Sequence, residues 1–323
     1  MSITAGAHRA SPPPTSTAVN ALRNEALGPR SPSTEDRSEA TREIDRISIE
    51  DGLALLAGEF RRPFDVFERH AVELSPIVDA IVDRVRRGGR VHYFGAGTSG
   101  RLAALDAAEI PPTFGVPPTV FRVHIAGGER ALTTAVEDAE DDTGAGAREG
   151  ERVASGDVAV GLAASGRTPY VLAALVAARA QGAFTALIDC NDGAPSQVDC
   201  RVTLPTGPEP IAGSTRLNAA TVQKLALNAI STLAMVHLGR TYSNLMVCVQ
   251  PTNAKLRERL ALMLREISGA SPAQVDAALV AAGNEGGPAL AMLMRGWDAV
   301  QARRVLDEGT ALRTRLDGGP GGG

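Results

Sequence analysis

Apolar positions along this chain follow two periods in turn. Over 47–60, ISIEDGLALLAGEF, Ser48 precedes Glu50 and Asp51, and Leu53, Leu55 and Leu56 follow. That is the order of a helix cap, an acidic first turn and an apolar stripe. Across 65–87, Val66, Val72, Ile77, Ile81, Val82 and Val85 recur at helical spacing, and Gly88-Gly89 ends the pattern. The period then shortens. Residues 91–94 read as a strand, 99–109 as a helix stopped by Pro111-Pro112, and 119–125 as a second strand. Residues 126–141 read as a loop and helix. A third strand, 157–163, holds few polar residues, and a loop and helix ending at Gly182 follow it. Segments 184–190 and 200–205 are a fourth strand and a short fifth, and a long helix covers 218–238.

Strands and helices alternating through short connections imply a parallel sheet with helices on both faces. Strands buried on both faces read as apolar runs, as these do. The expected fold is therefore α/β, a doubly wound parallel sheet in three layers. From Ser268 onward, three short helical stretches split by Gly-rich turns predict a small C-terminal three-helix domain. Residues 1–34, with PPP and no apolar period, predict a disordered extension, and 318–323 a flexible tail. The folded units between them are 35–266 and 267–317. No repeat of fixed period occurs.

Length and composition narrow the function. The chain of 323 residues suffices for one large α/β domain and a small one. A net charge of −4 and 3% aromatic residues argue against a nucleic-acid surface. No apolar run reaches the length of about 18 residues that spans a membrane, and no secretory signal is evident. Cys190, Cys200 and Cys248 are odd in number and match no metal spacing, which predicts reduced intracellular thiols. The five histidines are scattered, so no metal site is expected.

The first strand runs into Gly95-Ala96-Gly97-Thr98-Ser99-Gly100, a match to the dinucleotide template G-x-G-x-x-G. That template also needs an acidic residue about 20 residues on, at the end of the second strand. Here the segment is PPTVFRVHI, with no acid, so a nicotinamide cofactor is not expected. The hydroxyls suggest phosphate instead. Thr98 and Ser99 sit where strand gives way to helix, and a helix N-terminus binds phosphate through free N–H groups and its dipole. The layout recurs at Ser165-Gly166-Arg167-Thr168-Pro169 and at Gly213-Ser214-Thr215-Arg216. Taken alone, the hydroxyls of any one loop read better as N-caps. Three such loops at the carboxyl edge of one parallel sheet converge on one crevice and favour a phosphomonoester.

Two acidic stretches supply candidate chemistry. Glu109 shares a helix with Leu102, Leu105 and Ala108, a spacing that places it near a buried face and predicts a raised pKa. In AVEDAEDD, residue pattern does not choose among Glu137, Glu140 and Asp141. Arg216 suits a phosphate or carboxylate, or equally a structural ion pair. Lys224 reads as a helix-face lysine, and His92 and His124 as core residues.

The segments GAGTSGRLAALDAAEIPPTFGVP, IAGGERALTTAVEDAEDD, GLAASGRTPYV and GSTR resemble the N-acetylmuramic acid 6-phosphate etherase family, a branch of the sugar isomerase (SIS) domain proteins. The similarity covers 33–317, including STEDRSEATREID and the helical C-terminus. It implies a SIS-type three-layer sheet and a cytoplasmic homodimer acting in cell-wall sugar recycling, with neither cofactor nor metal. The implied reaction cleaves the lactyl ether of a sugar 6-phosphate to N-acetylglucosamine 6-phosphate and D-lactate. By motif, Glu109 is the proton donor and Glu140 the other catalytic carboxylate. Thr98, Ser99, Ser165 and Thr168 match sugar-phosphate positions, joined by Ser214, Thr215 and Arg216. The family pattern GSTR-[LM]-K-A-G-T differs here, where Asn218 and Ala220 replace its lysine and glycine. Related functions with the same phosphate loops are a non-catalytic sugar-phosphate sensor and an aldose–ketose isomerase.

Overall fold

The computed structural model describes residues 32–191, 197–307 and 312–318. Strand β1 (Val91–Gly95) lies between β2 (Phe121–Ile125) and β3 (Val158–Ala163), and β4 (Phe184–Asp189) and β5 (Cys200–Thr203) extend the sheet beyond β3. All pairings are parallel and the order is β2-β1-β3-β4-β5. The winding thus reverses between β1 and β3, and at such a reversal an open α/β sheet opens a crevice at its carboxyl edge.

The period-2 alternation of each strand serves two helix layers. On β3, Val158, Val160 and Leu162 join the core cluster built with α2 (Arg62–His70), α3 (Ser75–Arg86), α4 (Gly97–Phe114) and α7 (Asn218–His237). Ala159 and Ala163 face the opposite cluster with α6 (Pro169–Ala180). Gly161 lies between them, and a Cβ there would come within 2.6 Å of Val171 Cγ1. On this side α5 (Thr143–Gly150) meets α6 almost backbone to backbone. α1 (Ile49–Glu59) begins as expected, with the Ser48 hydroxyl accepting from Asp51 N–H.

Several expectations need correction. The helix expected over 65–87 breaks into α2, a 3-10 turn at Ala71–Leu74, and α3. Pro76 in the first turn of α3 has no N–H to offer four residues back. Pro111-Pro112 does not stop α4, which runs on to Phe114 and ends at Gly115 with φ 64°. The two lost N–H donors fall near the helix end, where few later bonds depend on them, and Gln250 N–H takes the Pro112 carbonyl at 3.0 Å. Helix in the 126–141 region is limited to 3-10 turns at Glu129–Leu132 and Ala139–Asp141. α7 is long and apolar enough to cross a membrane by length and composition alone, contrary to the sequence estimate, yet it packs against α2, α3 and α4.

The helical C-terminal region is present and larger than three helices: α8 (Ala254–Ser268), α9 (Pro272–Ala281), α10 (Gly286–Arg295), α11 (Ala299–Asp307) and α12 (Leu312–Asp317). Its core joins Val247 and Leu260 to Val275, Leu290, Ala302 and Leu312, so it begins well before 267. At the other end, residues 1–31 of the expected extension and 319–323 of the tail lie outside the described residues. Pro32–Thr34, assigned to the extension, are packed: Thr34 is buried and the Ser33 hydroxyl donates to Asn191 Oδ1 at 2.8 Å.

The α5–α6 contact gives a stability test. A Cβ on Gly146 would lie 2.1 Å from the Tyr170 carbonyl oxygen, and one on Gly150 2.2 Å from that of Ala174. Gly146→Ala and Gly150→Ala should each destabilise by about 1–3 kcal/mol or more, as overpacking does. Gly156→Ala, with nothing within 4 Å, should be close to neutral. Urea titration of the three variants checks this.

Candidate active site at the switch point

The first hydroxyl loop is shaped by glycine. A Cβ on Gly95 would lie 2.6 Å from Gly100 N, and one on Gly100 2.6 Å from Ile125 Cγ1, so the turn closes tightly and α4 packs against β2. Gly97 has φ 52°, a conformation that glycine takes without strain. No side chain caps the N-terminus of α4, which leaves its first N–H groups facing the crevice. The loop after β3 repeats this. Gly166 has φ 70°, and Thr168 stands at the N-cap of α6 without making a cap hydrogen bond. The N-cap alternative is therefore not realised at Thr168. Ser165 Oγ accepts from Arg167 N–H at 3.1 Å, a local turn bond that leaves its own O–H to donate. Two helix N-termini thus meet across the β1/β3 switch point.

The other expected phosphate residues divide. Thr98 is half-buried, and its hydroxyl has no partner among the described residues. Ser99 is buried and donates to Gln223 Oε1 of α7 at 2.7 Å, so its hydroxyl joins α4 to α7. Ser214 and Thr215 are half-buried beside Gly213 (φ 75°), whose N–H donates to the Thr34 carbonyl at 2.9 Å. Arg216 is exposed. The start of α7 does not offer open N–H groups: the buried Glu209 carboxylate accepts from Asn218 N at 2.8 Å and Ala219 N at 2.9 Å. Burial pushes Glu209 above its usual pKa, and those two N–H donors oppose the push. Sequence reasoning missed Glu209, which reaches the helix from nine positions earlier and follows no cap spacing. It also missed the amide nitrogen of Gln223 and both amide atoms of Asn218, which are buried without a partner among the described residues. Polar groups left so are unusual in a folded interior and mark places that water or a polar ligand completes.

Glu140 is brought to the crevice. It is exposed on the 3-10 turn entered through Asp138, a non-glycine residue at φ 58°. With Ala96, Gly97 and Arg101 it lines a cavity of about 190 Å³. Arg101 fixes the neighbouring loop, with Nε donating to the carbonyls of Ala131 (3.0 Å) and Leu132 (3.2 Å). A cavity of about 780 Å³ shares the Val136–Ala139 wall and opens onto His124 and Glu149. Behind it runs a chain of contacts: Asp157 to His92 at 3.2 Å, His92 to His124 at 2.9 Å, His124 to Glu149 at 2.9 Å. Burial, then the neighbouring His124, lowers His92 to about 4, so it is neutral at pH 7. His92 is a core residue, as the sequence suggested, whereas His124 is half-buried and reaches the cavity wall.

Glu109 is not where the sequence placed it. The buried face of α4 is Ser99, Gly100, Ala103, Asp106 and Ile110. Leu102 is half-buried against the core, whereas Leu105, 44% exposed, Ala108 and Glu109 lie on the outer side. An apolar stripe on a helix need not face the helix's own core. The buried carboxylate is Asp106, which accepts from Tyr93 Oη at 3.2 Å and Ser231 Oγ at 3.0 Å. Burial raises its pKa to about 6 against those two hydrogen bonds and the charge of Lys224.

Comparison with known proteins follows the same lines. Residues 73–179 match the glucokinase regulatory protein N-terminal SIS domain. The chain is 46% identical over 289 residues to the N-acetylmuramic acid 6-phosphate etherase of Cutibacterium acnes, covering 88% of this chain and 95% of that one. To the etherase of Rubrobacter xylanophilus it is 45% identical over 281 residues, covering 86% and 93%. A phosphoheptose isomerase structure from Francisella tularensis aligns with 58% of this chain and 98% of that chain at 16% identity and a TM-score of 0.45. Sheet order, crevice loops and the matched domain define a SIS-type α/β protein. With such identity over most of both chains, it belongs to the N-acetylmuramic acid 6-phosphate etherase family, a family of enzymes.

Asp106 generates a pH test. Its pKa is 3.8 when unfolded and about 6 when folded, so folding takes up a proton between these values. Stability from this group is present below about pH 4 and lost as pH rises through 6. Asp106→Asn removes the dependence. The variant's unfolding free energy relative to wild type should therefore improve by about 2 kcal/mol between pH 4 and pH 7. Chemical denaturation at both pH values measures the change.

Proposed function

We propose that this enzyme cleaves the D-lactyl ether of N-acetylmuramic acid 6-phosphate, giving N-acetylglucosamine 6-phosphate and D-lactate. The reading is supported above all by the meeting of two uncapped helix N-termini with Glu140 at the switch point. The N-termini of α4 and α6, with Thr98, Ser165 and Thr168, suit a phosphate dianion. Ser214, Thr215 and Arg216 flank the same edge, and Ser99 supports the first loop from beneath through Gln223.

The reaction runs through the open-chain sugar. The C1 aldehyde acidifies the C2 proton, Glu140 removes it, and the C3–O bond breaks as Glu109 protonates the lactate oxygen. The C2–C3 double bond so formed then takes up water, which returns a hydrogen to C2 and a hydroxyl to C3. One acid and one base contribute about 10²–10⁴-fold each. We further propose a homodimer. The reading places the reaction in the cytoplasm, where the free thiols of Cys190, Cys200 and Cys248 stay reduced.

The match to a regulatory protein's SIS domain makes a non-catalytic sugar-phosphate sensor the second reading. A sensor needs the loops but does not require both glutamates. Purified protein should release lactate from N-acetylmuramic acid 6-phosphate. Glu109→Ala and Glu140→Ala should each lower turnover by about 10²-fold or more while a sugar phosphate still raises the melting temperature. Sugar-phosphate binding without lactate from the wild type would select the sensor. Ser165→Ala should weaken phosphate binding, measured by calorimetry.

A further inference from the structure

The 780 Å³ cavity behind the Glu140 turn takes no part in the proposed reaction, yet its size is that of a small-molecule site, about 300–1,000 Å³. Its walls carry five carboxylates: Glu129, Glu137 and Asp138 on the loop after β2, and Asp142 and Glu149 at the two ends of α5. No lysine or arginine lines it. Glu149 is answered from behind by Arg152 at 2.9 Å and by His124, and Asp142 caps α5 through Ala145 N–H at 2.8 Å. Glu129, Glu137 and Asp138 have no ion-pair partner among the described residues. Like charges gathered around one cavity concentrate cations there. Tyr170 points to an occupant. It stands in the first turn of α6, is 2% exposed, and its hydroxyl has no hydrogen-bond partner among the described residues. A buried tyrosine ordinarily finds a partner for its O–H. This one faces the cavity: after burial, the charges that push its pKa up are Glu149 and Asp142, both on the cavity wall. It is therefore a neutral hydroxyl, able to accept a hydrogen bond from inside the cavity.

The carboxylates are spread and do not converge. Among the described residues, no three acidic, histidine or cysteine side chains are placed to hold a metal ion. Asp142 and Glu149 stand seven positions apart along α5, about 10 Å at 1.5 Å per residue. Apolar side chains, Ile125, Leu132 and Val136 among them, make up other parts of the wall. Spaced anionic groups with apolar surface fit a flexible chain that carries several cationic groups, and suit a compact ion poorly. We infer that this cavity binds an aliphatic polyamine: its ammonium groups pair with carboxylates on the loop and on α5, its methylenes lie on the apolar side chains, and Tyr170 Oη accepts one N–H. The Val136–Ala139 wall is shared with the cavity of Glu140, so the amine sits one wall away from the candidate chemistry. The polyamine site stands whether or not the protein releases lactate.

Equilibrium dialysis of labelled spermidine against the full-length chain at pH 7 tests this. Binding should saturate at one spermidine per chain and weaken by about tenfold between ~0.02 M and ~0.2 M salt, as screened ion pairs do. Tyr170→Phe should weaken it about three- to tenfold, the share of one hydrogen bond. Glu137→Gln combined with Asp138→Asn should weaken it about tenfold or more, and asparagine accepts the positive φ of position 138. Glu137 and Asp138 are exposed on the loop, so this pair carries the test even where Tyr170→Phe fails to fold. Glu258→Gln, at an exposed acid of α8 in the helical unit, should bind as the wild type does. Absence of saturable binding overturns the assignment. Saturable binding that the Tyr170 and Glu137/Asp138 variants keep at wild-type strength puts the amine on the general acidic surface, and overturns it too. Displacement of spermidine by an equal concentration of magnesium chloride would make the occupant a metal ion and remove the polyamine.

Discussion

Between β1 and β3 the winding of the sheet reverses, and the candidate site depends on that reversal. Each strand feeds a helix through a right-handed crossover, so α4 leaves the carboxyl end of β1 on one face and α6 leaves β3 on the other. Their N-termini end up side by side with positive dipole ends toward one crevice. Glycines at 95, 97 and 100 let the first loop turn tightly enough for this, and Gly166 does the same for the second. Without the reversal, the two loops would open on different parts of the sheet edge.

Polar contacts inside the apolar seam between α4 and α7 then fix where α4 stands. Ser99 is held by Gln223 at one level of the seam, and Asp106 by Ser231 lower down. Tyr93 completes the lower contact from β1. Buried polar pairs cost more when separated than apolar contacts do, so two of them a few turns apart define register and rotation. The rotation they define turns Asp106 inward and Glu109 outward. Burying one carboxylate in this helix thus leaves the other exposed on its outer side.

The start of the described chain ties the remaining loops together. Ser33 and Thr34 bond to Asn191, whose amide donates to the Ala164 carbonyl beside Ser165. The Thr34 carbonyl accepts from Gly213, and the Thr41 hydroxyl donates to the Pro210 carbonyl. One short segment therefore spans the loop after β3 and the loop before α7. This gives a physical reason for the packing of Pro32–Thr34, residues whose composition alone reads as part of a disordered extension.

What local pattern controls was legible in the sequence. The five strands, the parallel sheet, α7 and the glycine-shaped loops follow from periodicity and turn residues, which act within a few residues of one another. The pairing of Glu140 with the first loop was not readable from pattern, since it joins segments some forty positions apart. The resemblance to the etherase family pointed to it, and the fold brings the two together. Contacts that cross the chain belonged to tertiary structure. Glu209 on the start of α7, Gln223 beneath Ser99, and the reach of the helical unit back to Val247 come from elements packing in space. Glu109 shows the difference most directly. Its apolar neighbours on α4 were visible in the sequence, but an apolar stripe does not say which of its residues meet the core and which stay exposed. Only the seating of α4 on α7 decided that.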